Sequence, residues 1–151
     1  MGRSLSKGLN EAGIDASCVN IRDATFEYLA QCDLICVGAP TEGFSASKPM
    51  KQFLKTLKNV KLRGKYGFAF DTKVDSRLSG SAAKFIEKEL DALGLEIISR
   101  REYAFVLNVK EGSTRGAKLV DGEEERFEKI GAEIGRAVVA ASVSTQKGEM
   151  S

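Results

Sequence analysis

Apolar residues recur every three or four positions in several stretches of the chain, which is the spacing that places them on one face of an α-helix. In the last of these stretches, Phe127, Ile130, Ile134 and Val138 form one such face. Glycines that follow a periodic stretch mark helix ends, because glycine readily adopts the left-handed backbone found there. The predicted helices are an N-terminal helix ending at Gly13, Thr25–Gln31, a helix from Pro49 to Leu57, Ser81–Leu93 and Glu123–Ala141.

Between these helices lie segments with the patterns of β-strands. Leu34–Val37 is a continuous apolar run, which is typical of a strand covered on both faces in a parallel sheet. The other predicted strands are Ala16–Ile21, Lys65–Asp71 and Leu95–Val109. Strands and helices therefore alternate, which predicts a doubly wound α/β fold. We expect one domain over residues 1–141, a polar loop over residues 110–122 and a mobile tail over residues 142–151.

Composition narrows the chemistry. The 151 residues are 42% hydrophobic and 29% charged, as in an ordinary folded protein. Histidine is absent, which excludes hydrolases with a histidine base and metal sites with histidine ligands. The net charge of +2 is too small to indicate nucleic acid or a membrane surface as a partner.

The cysteines and the N-terminal residues bear on location. Cys18, Cys32 and Cys36 are too few for a disulfide framework, and the spacing of the last two differs from that of a redox C-x-x-C pair. We expect these thiols to be free and those of Cys32 and Cys36 to lie in the core. Because the sequence also shows no apolar leader and no apolar stretch of about 20 residues, we expect a cytoplasmic protein.

Two segments that follow predicted strands are candidates for a binding site, because ligands of doubly wound folds bind beyond the carboxyl ends of the strands. They are Pro40–Ser47 and Asp71–Gly80. Their small and polar residues would let backbone amides and hydroxyls approach a planar heteroaromatic ring. The alternative is that they are ordinary turns and helix caps. The candidate binding residues are Pro40, Thr41, Glu42, Gly43, Phe44, Ser45, Asp71, Thr72, Lys73 and Gly80. The acidic run Glu123, Glu124 and Glu125 suits the first turn of a helix, where negative charge is stabilised, so no metal ligand is predicted. No catalytic side chain is predicted either.

Taken together, these motifs resemble the flavodoxin family. The run L-I-C-V-G-A-P-T-E-G-F at Leu34–Phe44 is similar to the family's third strand and first flavin-flanking loop. K-L-R-G-K-Y-G-F-A-F-D at Lys61–Asp71 is similar to the fourth strand. The segment from Ser81 is similar to the helix and fifth strand that follow, and the segment from Leu119 is similar to the closing helix. The resemblance implies a three-layer α/β/α fold with a doubly wound parallel sheet. It also implies bound flavin mononucleotide (FMN), electron transfer and a redox partner protein.

The chain departs from the flavodoxin pattern at its first residues. The helix R-S-L-S-K-G-L-N-E-A-G matches the family's first helix, while the first strand and the phosphate-binding loop have no counterpart. We therefore expect about four strands and weaker FMN binding, with an upstream strand needed for tight binding. Without the first strand, a strand edge in the interior of the sheet lacks its usual neighbour. This edge could pair with another strand of the chain or accept a strand from another chain. Phe44 is the only aromatic residue in the two candidate segments, so stacking on both flavin faces is not expected.

Two functions of different kind remain open at this point. In the first, the chain is an FMN-dependent electron carrier or small oxidoreductase, alone or with a partner that supplies electrons, and the cofactor carries the chemistry. In the second, it is a flavin-free interaction module, for example a homodimer. The kind of redox partner is not indicated by charge, because basic and acidic residues balance near the candidate site. These residues are Lys48, Lys73 and Arg77 on one side and Glu42, Asp71 and Asp75 on the other.

Overall fold

The computed structural model describes residues 1–41, 45–74, 80–112 and 114–149, without the side chains of residues 110, 111, 114, 115 and 149. The chain divides into two compact units. The helical unit comprises Met1–Cys18 and Glu124–Ser151, and the sheet unit comprises Val19–Glu123. The expectation of one domain over residues 1–141 stays a prediction.

The sheet unit contains a five-stranded sheet in the order β1, β2, β4, β5, with β3 paired to β2. All of its pairings are parallel except that between β4 and β5. The predicted α/β class with a mainly parallel sheet is therefore confirmed. In chain order the elements are α2 (Phe26–Gln31), β1 (Leu34–Pro40), α3 (Lys48–Thr56), β2 (Tyr66–Val74), α4 (Ala82–Ala92), β3 (Glu96–Ile97), β4 (Glu102–Glu111) and β5 (Thr114–Leu119).

One face of the sheet forms an apolar core with α3 and α4. Ile35 and Val37 alternate along β1 and are buried there, as the period of two along a strand requires. The two helices contribute side chains at the helical spacing of four. These are Met50 and Leu54 from α3, and Ile86 and Leu90 from α4.

The starts of α3 and α4 follow directly from the sequence. Ser47 precedes α3 and Ser81 precedes α4, and each hydroxyl accepts a hydrogen bond from a backbone amide of the first turn. Serine suits this position because its side chain satisfies an amide that has no partner within the helix. The two serines therefore determine where α3 and α4 begin.

The helical unit consists of α1 (Gly2–Glu11), the segment that follows it, and α5 (Glu123–Glu149) except for its first residue. The two helices approach closely at glycines. A Cβ atom on Gly8 would overlap the carbonyl oxygen of Glu128. Lys7 forms a 3.0 Å ion pair with Glu128 beside this crossing. The pair raises the pKa of Lys7, mainly through the hydrogen bond.

The strand predicted over Ala16–Ile21 is wrong, because the described backbone there is irregular. Side chains of α1 supply the hydrogen bonds that a neighbouring strand would supply. The side-chain amide of Asn10 donates to the backbone oxygen of Ala16, and its carbonyl accepts from the Ala16 amide, at 3.0 Å each. Ser6 Oγ also donates to the Ala16 carbonyl oxygen at 3.1 Å. Ala16 is thus held by a helix rather than by a sheet.

The loop predicted over residues 110–122 is also wrong, since β5 lies within it and pairs antiparallel with β4. Gly112 has a φ of 62° and so permits the tight reversal between the two strands. The single strand predicted over Leu95–Val109 is divided into β3 and β4. β5 was not predicted because its residues are mostly polar and small, so no apolar alternation marks it.

Helix α5 continues to Glu149 instead of ending near Ala141. In the added turns Ser142, Ser144 and Thr145 each donate a hydrogen bond to the carbonyl oxygen four residues earlier, at 3.0–3.1 Å. Residues 142–149 show no apolar periodicity, so the sequence pattern places the end of this helix near Ala141 rather than at Glu149. Mobility of this segment stays a prediction.

Candidate functional site

The two predicted binding segments meet at the carboxyl ends of β1 and β2. The parallel register places Pro40 opposite Thr72. Beyond it, the Thr41 amide donates to the Thr72 carbonyl oxygen at 2.9 Å. Candidate residues from distant parts of the chain therefore lie side by side, as expected for the edge of a doubly wound sheet at which ligands bind.

Asp71 lies at the centre of this edge and is completely buried, with 0% of its surface exposed. Its Oδ2 atom accepts hydrogen bonds from Thr41 Oγ1 at 3.0 Å, from Ser81 Oγ at 3.1 Å and from the Ala83 amide at 3.0 Å. The Asp71 carboxylate lies at the N-terminus of α4, where the helix dipole stabilises negative charge. The Oδ2 atom of the carboxylate therefore joins the segment after β1, the end of β2 and the start of α4.

Two hydroxyl groups complete this arrangement. Thr41 Oγ1, besides donating to Asp71, accepts from the Ala82 amide at 3.1 Å. Ser81 Oγ, besides donating to Asp71, accepts from the Lys84 amide at 3.0 Å. Backbone amides of the first turn of α4 are thus satisfied by side chains, as helix starts require.

The other carboxylate oxygen of Asp71, Oδ1, is buried and has no hydrogen-bond partner among the described residues. An unpaired buried acceptor costs about 1–3 kcal/mol. The three bonds to Oδ2 therefore offset a real cost of keeping this side chain in the interior.

Part of the second candidate segment belongs to a strand. Asp71, Thr72 and Lys73 lie in β2 rather than in the loop expected there, because β2 continues to pair with β4 as far as Val74. In the first segment, Pro40 likewise ends β1 and is exposed. The strand therefore places these residues by its alternation, which a loop would not impose.

The remaining candidate residues divide into described and undescribed ones. Thr41, Ser45 and Gly80 are half-buried, as are Thr72 and Lys73. Residues 42–44 of the first segment and 75–79 of the second lie outside the described residues. The predicted binding residues Glu42, Gly43 and Phe44 are among them, so the stacking role of Phe44 stays a prediction.

A charged cluster beside this edge was missed by the sequence interpretation. The Lys73 ammonium lies 3.9 Å from the centre of the Tyr103 ring, and Arg101 Nε donates to the Tyr103 hydroxyl at 2.9 Å. Arg101 also forms a 2.9 Å ion pair with Glu87. The hydrogen bond to Tyr103 is the main cause of a raised Arg101 pKa, with Glu87 contributing. Only the pairing of β2 with β4 brings Lys73 to Tyr103, and no local motif marks the cluster.

The helical unit has a groove of about 680 Å³, which contains none of the candidate binding residues. Several of its polar side chains already have partners: Ser6 and Asn10 bind Ala16, and Lys7 binds Glu128. Within the described part of the chain, no group of three or more potential ligand side chains could hold a metal ion. Over the same residues, no helix combines the length and the apolar character of a membrane span.

Solved structures of other proteins superpose on this geometry. A flavodoxin from the domain Archaea superposes with a TM-score of 0.71 and 21% identity, covering 90% of this chain and 86% of that one. Oxidised flavodoxin 1 from Bacillus cereus superposes with a TM-score of 0.71 and 18% identity, covering 89% and 86%. This chain has a flavodoxin-like fold.

The flavodoxin-like fold also matches part of a larger protein. The flavodiiron core of Flv1 from Synechocystis superposes with a TM-score of 0.72 and 16% identity, over 92% of this chain and 32% of that one. No protein-family model matches the sequence, and no curated protein matches it. The likeness is therefore one of fold.

The described residues at the flavodoxin-like edge fit the ring of a flavin. Thr72 is half-buried, carries a hydroxyl donor and lies opposite Pro40, which is an exposed apolar residue at the end of β1. Ser45 and Lys73 are also half-buried and carry a hydroxyl and an ammonium donor; Lys73 follows Thr72 in β2, so its side chain leaves the opposite face of the strand. Polar groups at the margin of an apolar surface suit a planar heteroaromatic ligand. Asp71 does not belong to this donor set, because its carboxylate is buried and bonded within the protein.

Proposed function

We propose that this chain binds FMN at the carboxyl edge of β1 and β2 and takes part in electron transfer in the cytoplasm. The observation that carries the proposal is the meeting of the two candidate segments there, through the 2.9 Å bond from Thr41 to Thr72. Flavodoxins of the same fold support it. The absence of histidine is consistent with a reaction that needs no imidazole base.

Each described residue has a separate task in this proposal. Thr72 and Ser45 donate hydroxyl hydrogen bonds to the polar rim of the flavin, and Pro40 packs against its apolar part. Lys73, oriented by the Tyr103 ring, places a positive charge at the same edge, which favours ligand groups that gain negative charge. FMN, when bound, supplies the transfer of electrons, and a redox partner protein receives or provides them.

Flavin titration tests this proposal. FMN and riboflavin are added separately to the purified protein, and binding is followed by flavin fluorescence and by visible absorption. Because riboflavin lacks the phosphate, comparable binding of both would locate the recognition at the ring. Thr72→Val keeps the branched shape and removes the hydroxyl, so we expect it to weaken binding about 2- to 10-fold, the worth of one hydrogen bond.

Ser144→Ala is the matched control, since the Ser144 hydroxyl bonds only within α5 in the described structure. The flavin affinity of this variant should equal that of the wild-type protein. If neither flavin binds the folded wild-type protein at millimolar concentration, the proposed function is wrong for this chain.

The alternative function is a flavin-free interaction module. Within the described residues, β1 pairs with β2 alone, so its other backbone edge could accept a strand from a partner, including a second copy of the chain. A concentration-dependent dimer in analytical ultracentrifugation, together with no flavin binding, would favour this alternative.

A further inference from the structure

We propose that Asp71 is a positioning residue that couples the start of the segment after β1 to the start of α4, so that a displacement of either one is transmitted to the other. The coupling itself follows from the protein's own contacts. Its consequence for FMN affinity rests on the proposed function above.

One oxygen atom is shared by donors from two segments that are distant along the chain. Asp71 Oδ2 accepts from Thr41, Ser81 and Ala83 at 3.0–3.1 Å. With the carboxylate fully buried, water does not compete for these bonds, and bonds to a charged acceptor are stronger than neutral ones. Moving either segment therefore breaks a bond that water cannot replace.

The contacts of Thr41 go beyond ordinary helix capping. A cap of α4 needs only Ser81 and the bond from the Ala83 amide to Asp71. Thr41 adds a link that a cap does not need, because its hydroxyl donates to Asp71 and accepts from Ala82 at 3.1 Å. Thr41, Asp71 and the first turn of α4 thus form a closed ring of hydrogen bonds, and such networks change as a unit.

The contribution of the Asp71 charge to the coupling can be tested separately from that of its side-chain shape. Its Oδ1 atom has no partner among the described residues, so the carboxylate holds both segments through Oδ2 alone. Asp71→Asn keeps a carbonyl oxygen as acceptor for the three donors and nearly the same shape, but it removes the charge. Bonds to a neutral acceptor are weaker, so this substitution should loosen both segments at once.

A double-mutant cycle on the unliganded protein tests the coupling. Thr41→Val and Ser81→Ala are made singly and together, and the unfolding equilibrium constant is measured with urea. We expect the effect of the double variant to differ at least about threefold from the product of the single effects, the usual sign of residues in one network. The same pair in an Asp71→Asn background should show a clearly smaller coupling.

Thr25→Ala provides the matched control, because Thr25 caps α2 through its bond to the Tyr28 amide and has no described contact with Asp71. In the double variant Thr25→Ala/Thr41→Val, the change in the unfolding equilibrium constant should equal the product of the two single changes. Hydrogen exchange gives a second measurement: Thr41→Val should speed exchange at Ala82 and Ala83, and Thr25→Ala should leave them unchanged. Simple multiplication in the Thr41 and Ser81 cycle, with unchanged exchange at Ala82 and Ala83, would overturn the proposal.

FMN titration extends the test to the site. Asp71→Asn should weaken FMN binding about tenfold under conditions where it remains folded, within the usual range of coupling between a remote position and a ligand site. Thr25→Ala should not weaken it. A wild-type protein that binds no FMN but shows the coupling would refute the proposed function and leave the positioning role intact. Unchanged FMN affinity in Asp71→Asn would refute the consequence of the coupling for FMN binding while leaving the proposed function standing.

Discussion

The chemistry of single residues in this protein is set by their burial. Asp71 is an acid held in the interior by three donors to one of its oxygens. The three thiols, which are all free, differ from one another in the same property. Cys18 is exposed, while Cys32 and Cys36 are partly buried. Burial raises the pKa of Cys32 and raises that of Cys36 to about 12. The nucleophilic thiolate is therefore suppressed at Cys36.

Thiol labelling should separate these cysteines. At about pH 8, just below the ordinary thiol pKa, we expect iodoacetamide to modify Cys18 rapidly and Cys36 only after unfolding, as read by mass spectrometry of peptides. Since the Cys36 pKa is higher in the folded chain than the ordinary value of 9.0, its contribution to stability is present below that value and is lost as the pH rises toward about 12. Rapid modification of Cys36 in the folded protein would contradict this prediction.

At the scale of elements, the packing of β1 beside β2 depends on a glycine, Gly38, which has no side chain. Phe68 and Phe70 on β2 stack with their ring centres 6.1 Å apart. Gly38 of β1, which lies opposite Phe70 in the register, faces the Phe70 ring so closely that a Cβ atom would overlap it. Glycine is therefore required here by space rather than by backbone conformation.

Gly38→Ala should lower the free energy of unfolding by about 1–3 kcal/mol, the usual cost of adding a methyl group to a packed interior. Urea unfolding measures it. Gly116→Ala is the control, since Gly116 lies in β5 with open space around its Cβ position, and it should change stability little. Equal stability of the two variants would show that Phe70 moves aside at no cost.

At the scale of the whole molecule, residues from the two parts of the chain most distant in sequence form one unit. Lys7 and Glu128, which are separated by 121 positions, are ion-paired, and glycines on α1 and α5 let the helices approach. An isolated helix as short as α1 is marginal in water. The helical unit therefore depends on contacts that form only after α5 has been synthesised.

Gly131→Ala tests this dependence. Alanine favours a helix by up to about 1 kcal/mol over glycine, but here its methyl group would overlap the backbone of Leu5. We expect a net loss of about 1–3 kcal/mol in stability and faster hydrogen exchange in α1. Gly148→Ala, with open space at its Cβ position on the same helix, should not destabilise the protein. A stabilised Gly131→Ala variant would mean that the crossing is loose.

The elements that the sequence predicts correctly are those with strong apolar patterns. The run at Leu34–Val37 indicated a strand of a parallel sheet, and the stripe from Phe127 to Val138 indicated a helix, because burial imposes a period on the residues that face the core. β5 and the last turns of α5 lack such a period. β5 is stabilised by its backbone pairing with β4, and the last turns of α5 are stabilised by the backbone hydrogen bonds of the helix. No apolar pattern records either kind of bond.

For the candidate site, the sequence determined that the segments after β1 and β2 would be polar and would lie at one edge, since parallel strands end together. It did not distinguish the residues that face outward from those that face inward. The tertiary structure decided that Thr72 and Lys73 are partly exposed at this edge, and that Asp71 is buried against the start of α4. The reason is physical: Asp71 and Lys73 leave the same face of β2, and only the position of the α4 N-terminus, which local sequence does not contain, brings a helix amide and two hydroxyls to the Asp71 carboxylate.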